Sequence, residues 1–96
     1  VYTARTGSDE LVGLARTISD GATICYLQDI LVQPSHQDRG IGRALMDRIL
    51  ADYGHVRQVV LLTDDEPRQR AFYESHGLTE VHDVAPRPLN AFVRLG

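Results

Sequence analysis

Residues 27–50 read LQDILVQPSHQDRGIGRALMDRIL. The stretch opens on an apolar, strand-like run, Leu27 to Val32, and closes on an amphipathic, helix-like one, Ile41 to Leu50. Between them lies Gln37-Asp38-Arg39-Gly40-Ile41-Gly42. Two glycines at a strand-to-helix turn let the backbone come close to a ligand, because no Cβ blocks the approach. The helix that follows aims its free N–H groups and positive dipole end at the same spot. The expectation is a cradle for a phosphate or pyrophosphate.

Upstream, Val1 to Thr6, Leu11 to Ile18 and Ala22 to Val32 read as strands. The turn signals Gly7-Ser8-Asp9 and Ser19-Asp20-Gly21 separate them, and Pro34 stops the third. Connections this short predict an antiparallel meander. Downstream the period changes. Ile41, Ala44, Leu45 and Ile49 recur at helical spacing, with Arg43, Asp47 and Arg48 outside, and Gly54 suits the residue past the helix end. Val59 to Leu62 is a continuous aliphatic run, which predicts a central strand buried on both faces. Thr63-Asp64-Asp65-Glu66-Pro67 opens a second helix that runs through Phe72-Tyr73 and ends at Gly77. Thr79 to Val81 is a candidate short strand, and Leu89 to Leu95, set off by Pro86 and Pro88, a last one. The order β-β-β-α-β-α-β predicts an α/β (α+β) fold. Its sheet is mixed and mostly antiparallel, with a parallel pair where a helix crosses between strands.

Ninety-six residues, 43% hydrophobic and 24% charged, have the size and composition of one soluble globular domain. The net charge of -3 argues against nucleic acid and anionic membranes as partners, since both call for a basic patch. Cys25 is the single cysteine, so no internal disulfide forms; its apolar surroundings suit a small core residue rather than a nucleophile. No apolar run reaches the length of a membrane span and no signal-peptide pattern opens the chain, so the cytoplasm is the expected location. His36, His55, His76 and His82 show no metal-ligand spacing, and no metal is expected. They read as surface or turn residues, with His82-Asp83 a weak substrate-site pair. The chain opens on Val1, inside a strand; either a segment precedes it or the true start was recorded as Val.

Gln37, Gly40 and Gly42 follow the spacing Q/R-x-x-G-x-G/A, between Leu31-Val32-Gln33-Pro34 and Arg43-Ala44-Leu45-Met46. Phe72-Tyr73-Glu74-Ser75-His76-Gly77-Leu78 looks like a second pattern, F/L-Y-x-x-x-G-F. With both motifs in this order and at about this separation, nearly the whole chain resembles the GNAT acetyltransferase superfamily. It looks like a small bacterial-type member without the family's usual first strand and two helices. The resemblance implies acetyl-CoA as donor, its pyrophosphate held by backbone N–H groups of Arg39, Gly40, Ile41, Gly42 and Arg43, with Gln37 and Asp38 in the same loop. It implies a V-shaped split between the Ile30–Val32 strand and the Val59–Leu62 strand, in which the pantetheine arm lies like an added strand. A backbone N–H near Leu31 or Val32 would stabilise the oxyanion.

In the family the tyrosine at the Tyr73 position protonates the departing thiolate. A phenol of pKa about 10 can serve a thiolate whose conjugate acid is near 8.5. The competing reading is a tyrosine that merely packs, with its hydroxyl at the rim. Family members often carry a carboxylate eight residues before the loop's first Gln or Arg, which is where Asp29 stands. Its apolar neighbours Leu27 and Leu31 suit a general base, and a purely structural acid is an equal alternative. Seven residues before the tyrosine many members place an Asn that contacts CoA; this chain has Glu66, and the run Asp64-Asp65-Glu66 reads as a helix cap.

The expected function is N-acetyl transfer from acetyl-CoA to a primary amine, by direct attack in a ternary complex. Competing readings are an acyl-CoA-binding module without catalysis, and an incomplete domain finished by a missing N-terminal segment or a second copy. A homodimer is accordingly among the expected partners. The acceptor stays open among small amines, aminoglycoside-like antibiotics, peptide N-termini and protein lysines.

Overall fold

Asp20 sets the turn from which the sheet grows. Its Oδ1 accepts hydrogen bonds from the backbone N–H groups of Ala22 (2.9 Å), Thr23 (2.7 Å) and Ile24 (3.2 Å), and the Thr23 hydroxyl donates to Oδ2. Gly21 takes φ 76°, which the reversal requires. The Thr23 hydroxyl, then the three N–H donors, hold the Asp20 carboxyl far below the usual carboxylate range. The result is a hairpin of β2 (Leu11–Ser19) and β3 (Ile24–Val32), with β1 (Tyr2–Arg5) on the outer side of β2.

The computed structural model describes all residues, Val1 to Gly96. After β3 come a 3-10 turn at Pro34–His36, α1 (Ile41–Asp52), β4 (Gln58–Leu61), α2 (Pro67–Ser75) and a second 3-10 turn at Val81–Asp83. The four strands form one sheet in the order β1-β2-β3-β4. The first three pair antiparallel, and β4 joins β3 in parallel after the α1 crossover. This is the mixed, mostly antiparallel sheet of an α+β fold, as the sequence led one to expect.

Three elements differ from expectation. β4 lies at the sheet edge rather than at its centre, and Val60 is 37% exposed. Its two-sided apolar run reflects side chains that could be covered, not a strand on each side. Leu89 to Leu95 does not form a strand, so the order closes at β-β-β-α-β-α; that segment is irregular, with Phe92 94% exposed. The backbone hydrogen bond from Leu89 N–H to Val81 C=O (2.7 Å) anchors its start to the second 3-10 turn instead. Thr79 to Val81 contains no strand either; Val81 begins that turn, capped by the Glu80 side chain.

The chain divides into two compact units, Val1–Leu62 and Thr63–Gly96. In the first, α1 buries Leu45, Met46 and Ile49 on one face of the sheet, where Ala15, Cys25 and Leu27 are also buried. Burial pushes the Cys25 thiol up, so the residue is a core side chain and not a thiolate. Tyr2 Oη donates to Asp52 Oδ2 (2.9 Å), tying β1 to the end of α1. The opposite sheet face leaves Ile18 and Leu31 exposed.

In the second unit, Glu66 caps α2, accepting from the N–H groups of Arg68 (2.9 Å) and Gln69 (3.0 Å). The helix ends in a Schellman motif: Gly77 at φ 84°, with bonds from Leu78 N–H to Tyr73 C=O and from Gly77 N–H to Glu74 C=O. Arg70 bridges Glu74 and Asp83, which joins α2 to the second 3-10 turn.

Candidate functional site

The loop between β3 and α1 is built to leave N–H groups available. Pro34–His36 makes a single 3-10 turn, after which Asp38 and Gly40 take φ 62° and 79°. Gly40 is the N-cap of α1 in the left-handed region, and no side chain caps the helix there. A Cβ on Gly40 would meet nothing within 4 Å, so the glycine is needed for its backbone angle and the space around it is open. The first bond of the helical ladder runs from Ala44 N–H to Gly40 C=O (2.9 Å). The N–H groups of Ile41, Gly42 and Arg43 therefore precede the ladder. No acidic residue occupies the first turn, whereas Arg39 and Arg43 are exposed on either side of Gly40. N–H groups at a positive helix end, with an arginine on either side of Gly40 in the sequence, are the kind of arrangement that can hold an anion.

The strand leading into this loop has an open edge. β3 pairs with β4 from Ile24↔Gln58 to Leu27↔Leu61, where β4 ends. From Gln28 to Val32, β3 continues with β2 as its partner on one side only. The direction of each amide follows from the register. Gln33 N–H donates to Val12 C=O (2.8 Å), just outside the pair Gly13↔Val32. Gly13↔Val32 is thus a non-hydrogen-bonded pair, and alternation makes Leu14↔Leu31 a hydrogen-bonded one and Ala15↔Ile30 another open one. The N–H and C=O of Ile30 and Val32 point away from β2, along the open edge. Leu31, expected to be a candidate amide donor, turns its backbone into the ladder with Leu14.

Other candidates fall as follows. Gln37 lies at the end of the 3-10 turn, its Nε2 3.4 Å from Val32 C=O, a long contact across the base of the loop. Asp29 Oδ2 accepts from Arg16 Nε (2.7 Å) and from Arg16 Nη2, a cross-strand pair between β2 and β3. Tyr73 sits in α2, half-buried, its ring edge-on to Phe72 at 5.0 Å. Burial pushes its phenol up, so it is fully protonated at neutral pH.

A family model described as acetyltransferase (GNAT) domain matches residues 1–80. The chain belongs to the GNAT family. Serotonin N-acetyltransferase 2 of Oryza sativa subsp. japonica is 34% identical over 74 residues, which cover 77% of this chain and 37% of that protein. Mycothiol acetyltransferase of Kocuria rhizophila is 30% identical over 89 residues, covering 84% of this chain and 27% of that protein. Among solved structures, a GNAT-family acetyltransferase of Streptococcus pneumoniae superposes with a TM-score of 0.81 at 32% identity, covering 98% of this chain and 70% of the other. The chain spans about a third or less of the length of the curated relatives it matches.

Against the GNAT pattern, Glu66 has a structural role: each of its carboxylate oxygens accepts a backbone N–H at the start of α2. Ile30 and Arg16 did not stand out in the sequence. The open amide of Ile30 depends on Gln28, the extra residue where the β2–β3 register shifts between Arg16↔Asp29 and Thr17↔Leu27. A bulge of this kind changes which residues face the edge, and no Gly or Pro marks it here. No group of three or more His, Cys, Asp or Glu side chains is arranged to hold a metal ion, and no helix is long and apolar enough to cross a membrane.

Proposed function

We propose that this chain forms the donor half of an N-acetyltransferase, taking acetyl-CoA and delivering its acetyl group to a primary amine. One observation carries the reading: the open edge of β3, with Ile30 and Val32 facing outward, leads through the loop 33–40 to the N–H groups at the start of α1. A pantetheine arm carries amides that pair with such an edge as an added strand does. A pyrophosphate at its far end meets the N–H groups of Ile41, Gly42 and Arg43, with Arg39 and Arg43 adding charge. Acetyl-CoA supplies an activated thioester.

The remaining work falls to the chain's own groups. The outward N–H of Ile30 or Val32 donates to a carbonyl oxygen on which negative charge develops. Tyr73 keeps its proton through the neutral range, and its place in the F/L-Y-x-x-x-G-F motif is what supports giving it the part of donor to a sulfur that is becoming a thiolate. Because burial raises the phenol, full proton transfer is uphill, and the hydroxyl acts mainly as a hydrogen-bond donor to the leaving sulfur. Asp29 accepts two hydrogen bonds from Arg16 on Oδ2, a cross-strand tie that gives it a structural role of its own. We assign it to the β2–β3 tie.

The test is a thermal-shift titration with CoA, followed by thiol release from acetyl-CoA across a panel of amines. Ligand at 100 times its dissociation constant should stabilise the chain by roughly 2.7 kcal/mol. No stabilisation by CoA would end the donor-site reading. Binding without thiol release from any amine would leave an acyl-CoA-binding module in place of an enzyme.

A further inference from the structure

Gly13 belongs to neither of the motifs that identify the family, yet it touches both ends of the loop. It sits in β2 between Val12 and Leu14, where a strand ordinarily carries a side chain. Its backbone angle is not the left-handed one that favours glycine, so the reason for it is space. A Cβ at this position would stand 2.8 Å from Ile41 Cγ2, 3.3 Å from Leu45 Cδ1 and 3.3 Å from Ala4 Cβ. Across the ladder Gly13 pairs with Val32 in the non-hydrogen-bonded register, where the two Cα atoms lie closest, about 4.5 Å apart. Val32 is the last residue of β3 and Ile41 the first of α1. The loop hangs between these two residues.

We propose that Gly13 is a positioning residue for the phosphate cradle. The missing side chain lets the first turn of α1 settle onto β2 beside Val32. That fixes the separation between the N–H groups of Ile41 to Arg43 and the open β3 edge. An added methyl cannot be absorbed by a small rotation. The atom it meets is on the β-branched carbon of Ile41, whose χ1 is stiff in a helix, and Ala4 closes another side. The start of α1 must rise, and the cradle moves relative to the edge. This inference rests on the donor-site reading above.

The test uses Gly13→Ala, Ile41→Ala and the double variant in the full chain. CoA affinity is measured by calorimetry, KM and kcat by thiol release, and amide hydrogen exchange of residues 33–43 in the ligand-free chain. Gly13→Ala should weaken CoA and raise KM for acetyl-CoA about tenfold, the effect of ~1.4 kcal/mol of overpacking strain, with kcat within about twofold. Ile41→Ala should also weaken CoA, because α1 loses its seat over Gly13. The double variant should recover most of both losses, as neighbours in contact do, and the split between KM and kcat separates positioning from a loss of folded chain. If Gly13→Ala does not fold, Ile41→Ala and the double variant still decide. Unchanged affinity in the single variants, or losses that simply add in the double, would overturn the proposal. If the wild-type chain does not bind CoA, the donor-site reading falls, and exchange in the ligand-free variants judges Gly13 alone. Faster exchange of the loop in Gly13→Ala that the double variant reverses supports the role; an unaltered loop refutes it.

Discussion

At the scale of single residues, the proposed site separates groups assigned a backbone role from groups assigned a side-chain role. Gly40 belongs to the first kind: its left-handed φ would cost an L-residue roughly 1–2 kcal/mol, and that conformation is what opens the N-terminus of α1. Tyr73 belongs to the second kind. Its hydroxyl is a donor of modest reach on a ring held edge-on against Phe72, so Tyr73→Phe should keep the fold and the CoA affinity. The same change should lower kcat about a hundredfold with little change in KM, the mark of an interaction made only as the sulfur leaves. Steady-state kinetics check this, and unchanged kcat would reduce Tyr73 to a packing residue. Asp29 is expected to behave otherwise. With Oδ2 on Arg16 at the partly exposed β2–β3 surface, Asp29→Asn should cost less than about 1 kcal/mol in urea unfolding and leave kcat near the wild-type value. A large loss of kcat would return the base role to it. Gly40 was legible in the sequence as the glycine of a strand-to-helix turn, and its left-handed φ accords with that; Tyr73 stands out by motif spacing alone. Ile30 was not legible, because which amides face out depends on one bulge at Gln28 that leaves no compositional trace.

At the scale of elements, local chemistry was readable wherever it sufficed to make the element. The Ser19-Asp20-Gly21 turn, the helix from Ile41 and the proline-opened α2 all formed where their residues put them, give or take a residue or two at the ends. The failures were elements that need a partner. Leu89 to Leu95 has the composition of a strand, but a strand also needs a ladder, and the pattern does not supply one. β4 was misjudged as central because two apolar faces say what a strand could bury, not how many neighbours it has. The β2–β3 hairpin makes the strength of local chemistry measurable. Asp20 accepts its hydrogen bonds as a carboxylate, and its folded-state pKa is depressed. A depressed carboxyl stabilises the fold above its unfolded pKa, about 3.9, and that contribution disappears as pH falls toward the folded value. Thermal melting of wild type and Asp20→Asn should therefore differ most above pH 5, with the gap closing below about pH 3. A gap that held constant into acid would mean that the charge of Asp20 contributes nothing to the hairpin.

At the scale of the whole molecule, stability is unevenly distributed between the two units. Every buried core side chain, from Val12 and Ala15 through Cys25 and Leu27 to Leu45, Met46 and Ile49, belongs to Val1–Leu62. Thr63–Gly96 has none, and is held by the Glu66 cap, the Schellman turn and exposed ion pairs such as Arg70–Asp83. Exposed pairs contribute ~1 kcal/mol or less each, whereas truncating a buried Ile costs about 2–5 kcal/mol. Local opening should follow that difference, because segments with few buried apolar contacts open at low free energy. Native-state hydrogen exchange should show the amides of α2 and the C-terminal segment exchanging first, and those of β2, β3 and α1 near the global unfolding free energy. Ile49→Ala should speed exchange across β2, β3 and α1 while leaving α2 nearly unchanged. Equal protection in both units, or an Ile49→Ala effect that spread to α2, would instead make the chain one cooperative block. A functional consequence follows from where the proposed donor site stands. The cradle at Ile41 to Arg43 and the edge at Ile30 and Val32 sit on the unit that opens last, so their geometry is set before any ligand arrives. CoA binding, followed through a urea titration, should accordingly be lost together with the protection of the β2, β3 and α1 amides and not with that of α2.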